Sequence, residues 1–475
     1  MNNKVTLIWP FNMHAQKIPE LFPIGLGYLI DNIDEQKFDL NLLDCAIQNF
    51  HPESLEFKKE LVRLSPNVVG ISWWSNNTPI VELTISVIKQ VLPKTKIIVG
   101  GPHPSAYGEQ LVRDDEIDFV FYGEAEVGFP KLLNFLLESS DGAIYSELLG
   151  TIEGLIYLDD QGQVHKTPQS LENDLDKLGA IEYGRLGLTQ YQDKGYSYGG
   201  KAVRTNQLTA PMVATRGCPY KCNFCAAPAM NGKKVRKHSI PYLLKHISTL
   251  YEKYQVRHIA FVDDMFTLDI QWAQAVCEGI EGLNLEDFTV STPNGIRLER
   301  MNLDLAKSMK RAGWKELVIA PESGSPRTLK EMEKGLHLEK VKPVIDLLHE
   351  AELKVAAFFI LGYPNETMDD LLLTEHFIYD HEFDDLCLHI FQPLPGTPIF
   401  DRLVQQGDIS STFVPGSYQQ VTFKPAFLEK DQVRDVYNRI LNTFRDRKGW
   451  KYKDAQVASV RQPDLLYGAE MAHSA

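Results

Sequence analysis

No run of about 18 apolar residues occurs in the 475-residue chain, so no membrane-spanning helix is expected. The apolar stretch Val5–Trp9 near the start is too short for the core of a secretory signal, and the expected location is the cytoplasm. Positive charge is in deficit: 49 Lys and Arg against 63 Asp and Glu give a net charge of −14. Such a surface repels phosphate backbones and argues against broad nucleic-acid binding. Cysteine is sparse, with six residues: Cys45, Cys218, Cys222, Cys225, Cys277 and Cys387. Three crowd together and three lie far apart, which is not the layout of a disulfide framework. Internal repeats and low-complexity tracts are also absent.

What is present is ordinary for a soluble globular protein, with 44% hydrophobic and 24% charged residues, and the length suits two or three domains. The first 145 residues alternate short apolar runs with helical periods. Strands are expected at Val5–Trp9, Leu40–Leu43, Val68–Ser72, Ile97–Val99 and Phe119–Tyr122, with helices at Ile24–Ile33, Pro52–Leu64 and Pro79–Val91. This is the pattern of a doubly wound parallel α/β sheet, whose ligands bind at the carboxyl ends of the strands. The loops Ser72–Asn77, Gly100–Ser105 and Gly123–Glu126 then face one common pocket. Residues 146–205 hold a hairpin around Asp159-Asp160-Gln161-Gly162 and a polar connector.

Alternation resumes in residues 206–400. Strands are expected at Met212–Thr215, His258–Val262, Phe288–Thr292, Leu317–Ala320, Lys354–Leu361 and Asp385–Phe391, separated by helices. Six such units suit a partial (β/α)6 barrel. Residues 401–475 form a small, mainly helical region with one strong helix, Lys430–Asp446.

The cysteine cluster reads Arg216-Gly-Cys218-Pro-Tyr-Lys-Cys222-Asn-Phe-Cys225 and follows the first barrel strand. Three thiolates can hold three irons of a cubane and leave the fourth iron open. The competing reading is zinc with a fourth ligand elsewhere, such as His238, but zinc sites usually show paired Cys-x2-Cys spacing. The stretch resembles the radical S-adenosylmethionine (SAM) superfamily. That resemblance implies a [4Fe–4S] cluster on Cys218, Cys222 and Cys225. It also implies SAM bound at the open iron and split to a 5′-deoxyadenosyl radical by one electron from a flavodoxin- or ferredoxin-type donor.

Further motifs stand at successive strand ends, each with a plainer reading beside it. By the resemblance, Asp263 and Asp264 help bind SAM, or they cap a helix. Arg297 pairs with a carboxylate or is a surface side chain. Glu322 and Ser323, in Ala320-Pro-Glu-Ser-Gly-Ser325, resemble a SAM-contacting pattern, while Ser325 alternatively caps the next helix. Gly362-Tyr-Pro-Asn365-Glu366-Thr367 resembles a stretch near the adenine, with Asn365 where the family has glycine; Thr367 and Asp370 also form an ordinary capping pair. Pro393-Leu-Pro-Gly-Thr397 resembles a family turn.

The first domain resembles the cobalamin-binding domain that precedes many such barrels. The residues carrying this are Gly100, Gly101, His103 and Ser105 in one loop and Gly123 and Glu124 in another, with Phe22–Leu29 near the start. The Asp-x-His-x-x-Gly motif of many cobalamin proteins is absent, so His103 is not assigned as the lower cobalt ligand. Trp73 and Trp74 are placed near that lower face, or one is core and the other packs on the connector. The implied reaction is methylation of an unactivated carbon in a small-molecule or peptide substrate. The first alternative is a radical epimerase, cyclase or rearrangement enzyme with Cys387 returning a hydrogen atom, against an inert buried thiol. The second is a non-catalytic iron–sulfur redox protein. Residues 401–475 and the connector near Tyr191–Gly200 are expected to shape the substrate site.

Overall fold

The structure is a computed structural model that describes residues 3–11, 21–138, 145–196 and 207–448. Strands β1 (Lys4–Trp9), β2 (Asp39–Asp44), β3 (Val68–Ser72), β4 (Lys96–Gly100) and β5 (Phe119–Phe121) form a parallel sheet in the order β2-β1-β3-β4-β5. All five strands run the same way, and the sequence order reverses between β1 and β3, where such sheets place their ligands. Alternate residues feed opposite faces. Val5, Leu7, Ile98 and Phe121 enter the main core, while Ile8, Val69, Ile71, Val99 and Val120 enter a second one. The sheet is thus buried on both sides, as its near-continuous apolar strands require. The hairpin β6 (Leu155–Leu158) and β7 (Val164–Lys166) extends it antiparallel from β5.

The second unit begins with β8 (Thr209–Met212), followed by the two-residue strands β9 (Thr215–Arg216) and β10 (Arg236–Lys237). It continues with β11 (His258–Phe261), β12 (Thr289–Ser291), β13 (Glu316–Glu322), β14 (Lys354–Leu361) and β15 (Asp385–Ile390). β8-β11-β12 and β13-β14-β15 are parallel sheets, and the bridges Val290↔Trp314 and Ile296↔Ile319 join them into a six-strand partial barrel. The main core runs without a break from the first sheet into the barrel wall, taking in Met212, Ile259, Val290, Ile319 and Phe359.

The first barrel strand departs from expectation: it ends at Met212 instead of Thr215. The Asp263 side chain accepts the Ala214 and Thr215 N–H groups that a continuing ladder would use, and Thr215–Arg216 pairs with Arg236–Lys237 instead. The C-terminal region carries Pro398–Gln406 in addition to the expected helix, which spans Lys430–Arg447. Thr397 caps the former through the Phe400 N–H at 3.3 Å, a start signal hidden inside the Pro-Leu-Pro-Gly-Thr turn. Tyr191 of the connector is fully buried and donates to Asp44 Oδ2 at 2.6 Å, so it ties the connector to the first sheet. Residues 197–206 and 449–475, the rest of the two segments expected to shape the substrate site, lie outside the described residues. Among the described residues no helix is long and apolar enough to cross a membrane.

Candidate cluster and cofactor site

The three clustered cysteines sit on a loop, residues 217–235, whose two ends are zipped together by β9 and β10. All three thiols are half-buried. Among the described residues no three His, Cys, Asp or Glu groups converge on a single-ion site, and a cubane needs its thiolates apart, one per iron. Burial raises the Cys218 thiol and pushes Cys225 up to about 12; a bound cation is what would hold them as thiolates.

Asn223, between the second and third cysteines, fastens this loop to the end of the helix Pro326–Glu331, to the turn after β14 and to the start of the helix Pro398–Gln406. Its N–H donates to Met332 O at 3.1 Å and its side-chain amide to Glu331 O at 2.5 Å. Its Oδ1 accepts from the Tyr363 hydroxyl, and its carbonyl accepts Ile399 N–H at 3.1 Å. Sequence reasoning passed over Asn223; a polar residue among the cysteines was the available signal. Arg297, expected to meet a carboxylate, faces the loop too. It donates to Lys334 O at 2.8 Å, lies 3.5 Å from Cys222 Sγ and stacks over Tyr220 at 3.6 Å.

The remaining strand-end residues gather around this loop. Asp263 is buried, and its second oxygen, Oδ2, has no partner; burial raises its carboxyl to about 7. Asp264 accepts Asn231 Nδ2 at 2.8 Å and Gly217 N–H at 3.3 Å, so it braces the two ends of the cysteine loop. Glu322 is buried in a left-handed backbone conformation, φ 69°, and accepts Lys334 Nζ at 2.7 Å. Non-glycine residues hold such a conformation at a cost of about 1–3 kcal/mol, which concentrates at functional sites. Ser323 Oγ meets Thr374 Oγ1 at 3.0 Å. Ser325 does cap the following helix, through Thr328 N–H at 3.2 Å, and Thr367 with Asp370 does form a capping box.

Gly362 and Tyr363 donate their N–H groups to Glu366 Oε2 at 2.7 and 3.0 Å. The other Glu366 oxygen has no partner, and burial lifts its carboxyl from the ordinary 4.5 to about 8. Between those values the folded chain keeps a proton that the unfolded chain releases. The stability from this group is therefore full below pH 4.5 and falls away as pH rises to about 8. Glu366→Gln is expected to raise the unfolding midpoint at about pH 8.5 and leave it unchanged at about pH 5, a difference on the order of a few kcal/mol. Thermal melts at the two pH values check this, and an equal change at both would contradict it.

On β15, Leu388 and Ile390 are buried in the core behind the barrel wall, while Cys387 and His389 alternate onto the other face and stay half-buried. Cys387 thus occupies the interior side that its hydrogen-donor reading needs. His389 was missed, although the same alternation placed it. Its ring stacks on Tyr418 at 5.1 Å and lies 5.5 Å from Phe358. Buried Gln392 steadies that segment by donating to Ser417 O at 3.0 Å and Gln420 O at 2.7 Å.

The first-domain loops lie beside the barrel mouth. A Cβ on Gly396, in the turn after β15, would come within 3.3 Å of Ala106 Cβ on the helix Pro102–Leu111. Gly100 ends β4. Gly101, at φ 111°, lies so close to Trp73 that a Cβ would stand 3.0 Å from its carbonyl oxygen. Ser105 Oγ accepts Gly123 N–H at 2.8 Å and donates to Gly101 O at 2.8 Å. His103 is buried, stacked on Trp73 at 4.7 Å and beside Ser75 Oγ at 3.2 Å; burial lowers its imidazole to about 4. Trp73 is buried and donates to Thr78 Oγ1 at 3.0 Å, whereas Trp74 is 42% exposed. Of the two tryptophans, then, Trp73 is core and only Trp74 is free to meet a ligand.

Comparison with known proteins agrees with this arrangement. Residues 212–378 match the family model of the radical SAM superfamily and residues 19–133 that of the B12 binding domain. This is a radical SAM enzyme with a B12 binding domain. The radical SAM match begins at the end of β8 and stops within the helix before β15, and the B12 match stops before the β6–β7 hairpin. The radical SAM enzyme is 27% identical over 385 residues to an uncharacterised methyltransferase of Pyrococcus horikoshii, covering 80% of this chain and 78% of the relative. It is 22% identical to the cytidylyl-2-hydroxyethylphosphonate methyltransferase of Streptomyces wedmorensis, covering 90% and 87%. Its fold resembles the methyltransferase TsrM of Kitasatospora setae, solved with cobalamin and a [4Fe–4S] cluster, at TM-score 0.68 and 16% identity over 93% of this chain and 85% of that one.

Proposed function

We propose that this enzyme methylates an unactivated carbon of a small-molecule or peptide substrate in a cobalamin-dependent radical reaction. The observation that carries the reading is the juxtaposition within one chain of a three-cysteine loop and a ledge of small residues, Gly100, Gly101, Ser105 and Gly123, at the carboxyl ends of the first sheet. When bound, the cluster with SAM supplies a hydrogen-abstracting 5′-deoxyadenosyl radical, and cobalamin supplies a transferable methyl group. Cys218, Cys222 and Cys225 would hold the cluster. Asp263, Asp264, Glu322, Ser323 and Gly362 surround the place for SAM, and Arg297 braces the loop from outside. An electron donor of flavodoxin or ferredoxin type would approach the outer side of the loop, at a depression of about 380 Å³ lined by Tyr220, Lys221, Arg297, Arg300 and Lys334 among others.

The interior-facing Cys387 supports a second reading, hydrogen return to a substrate radical without methylation. Anaerobic reconstitution with iron, sulfide and cobalamin, followed by SAM and a reductant, separates the two. Methylation predicts retained cobalamin and both 5′-deoxyadenosine and S-adenosylhomocysteine among the products. Formation of 5′-deoxyadenosine without S-adenosylhomocysteine, together with a Cys387→Ala variant that still forms 5′-deoxyadenosine but no longer the product of unchanged mass, would favour the second.

Trp74→Ala is expected to alter the visible spectrum of bound cobalamin while changing stability by less than about 0.5 kcal/mol, as befits an exposed side chain. An identical spectrum would remove Trp74 from the cobalamin site.

A further inference from the structure

Glu124, read from sequence as a cobalamin contact, spends its carboxylate elsewhere. Both of its oxygens are taken by Arg236, one at 2.8 Å. Arg216 lies 2.7 Å from Glu126 Oε1 and 3.5 Å from Glu124 Oε1, with its guanidinium 4.5 Å over the Tyr28 ring. The four charged side chains are between 1% and 9% exposed. Two are positive and two negative. The arginines belong to the barrel and the glutamates to the B12 domain.

The position of the arginines is the informative point. Arg216 and Arg236 are register partners in the β9–β10 pair, so they stand side by side at the base of the loop that carries the cysteines. Arg236 also donates to Asn231 O at 2.9 Å, inside that loop. On the other side, Glu124 follows Gly123, whose N–H is held by Ser105, which in turn holds Gly101 O. A short hydrogen-bonded path therefore runs from the glycine ledge to the root of the cysteine loop. Buried ion pairs seldom add net stability, because desolvation offsets their attraction; their best-attested use is to fix register.

We propose that the Glu124–Arg236 and Glu126–Arg216 pairs couple the two cofactor sites: a loaded cysteine loop orders the glycine ledge, so cobalamin binds more tightly to cluster-containing protein. The first ligand bears the cost of ordering the shared loops, and the second bears less of it. Linkage makes the effect reciprocal, so cobalamin also raises the affinity of the loop for its cluster. Glu124, Glu126, Arg216 and Arg236 act as positioning residues and need touch neither cofactor. This inference rests on the cobalamin reading given above.

The test is the dissociation constant of aquocobalamin, measured by its visible absorption on cluster-free and cluster-loaded protein. Wild type is expected to bind about tenfold more tightly when loaded, within the usual range of coupling. Replacing the pair as a unit, Glu124→Met with Arg236→Met, removes the two-pronged link without stranding a buried charge. This variant should still fold and bind both cofactors, with the ratio of the two constants near one. Glu124→Gln should lower the ratio in the same direction, and Glu153→Gln, at an exposed pair with Lys131, should leave it unchanged. Equal affinities in wild type, or an undiminished ratio in the paired variant, would overturn the coupling. No cobalamin binding in any form would instead overturn the cobalamin reading itself.

Discussion

Asn223→Ala is expected to strip the protein of most of its cluster iron without touching a cysteine. The substitution leaves the two backbone hydrogen bonds of residue 223 in place, but Glu331 O and the Tyr363 hydroxyl both lose their partner. Each buried polar group left unpaired costs about 1–3 kcal/mol. Tyr363 is fully buried and Asn223 nearly so, so water cannot readily replace either bond. The local consequence matters more than the global one. Asn223 stands between Cys222 and Cys225 and holds them against the end of the helix Pro326–Glu331, the turn after β14 and the start of the helix Pro398–Gln406. Without that side chain the loop keeps its base, Arg297 and the two backbone bonds of residue 223, but loses the ties to Glu331 O and the Tyr363 hydroxyl. After anaerobic reconstitution and desalting, iron and sulfide per chain should fall several-fold in Asn223→Ala, and reductive SAM cleavage should fall with them. Cys222→Ala sets the floor, with no intact cubane. Asn223→Asp tests the reason: it keeps the acceptor for Tyr363 but not the donor to Glu331 O, and should fall between the two. Iron retention in Asn223→Ala equal to wild type would sink the clamp.

The elements most legible in the sequence were those whose signal is local. The six barrel strands showed as short apolar runs ending at small or polar residues, and all six are present, because a strand buried on both faces leaves that trace. The cysteine spacing was equally local. The first barrel strand was misplaced because its end is set by a side chain about 50 residues away: Asp263 takes the N–H groups of Ala214 and Thr215, and no propensity encodes that. Trp73 and Trp74 are adjacent in sequence and opposite in exposure, a distinction that depends on Gly101 and His103 packing against the first of them. The arginine partners of Glu124 come from the other domain, so nothing local to its loop could have announced them. His389 was within reach of period-two reasoning, which had already turned Cys387 to the same face. The residues that join distant parts of the chain are the ones that one-dimensional patterns conceal.

Gly324→Ala shows how narrow one of those junctions is. Gly324 lies between Ser323 and Ser325, in the loop expected to meet SAM. A Cβ there would stand 2.6 Å from Phe377 Cβ, 2.7 Å from Leu373 O and 2.7 Å from Thr374 Cα. All three belong to the helix Met368–Asp380, and none is the movable end of a side chain. Gly324 N–H and Ser323 Oγ both bond Thr374 Oγ1 at 3.0 Å, so the helix surface is also the loop's hydrogen-bond partner. A methyl group forces the helix and the end of β13 apart, and those bonds break with the packing. Overpacking of a close backbone approach costs about 1–3 kcal/mol and more where nothing can yield; here more than about 3 kcal/mol is expected. Glu322 shifts with the loop, so SAM affinity should fall alongside the unfolding midpoint. Gly282→Ala is the control: nothing lies within 4 Å of its Cβ position, at the end of the helix Ile270–Gly282, and alanine favours helix. If Gly324→Ala melts with wild type and binds SAM as tightly, the contact between that loop and the helix is looser than described, and glycine at 324 has no steric reason.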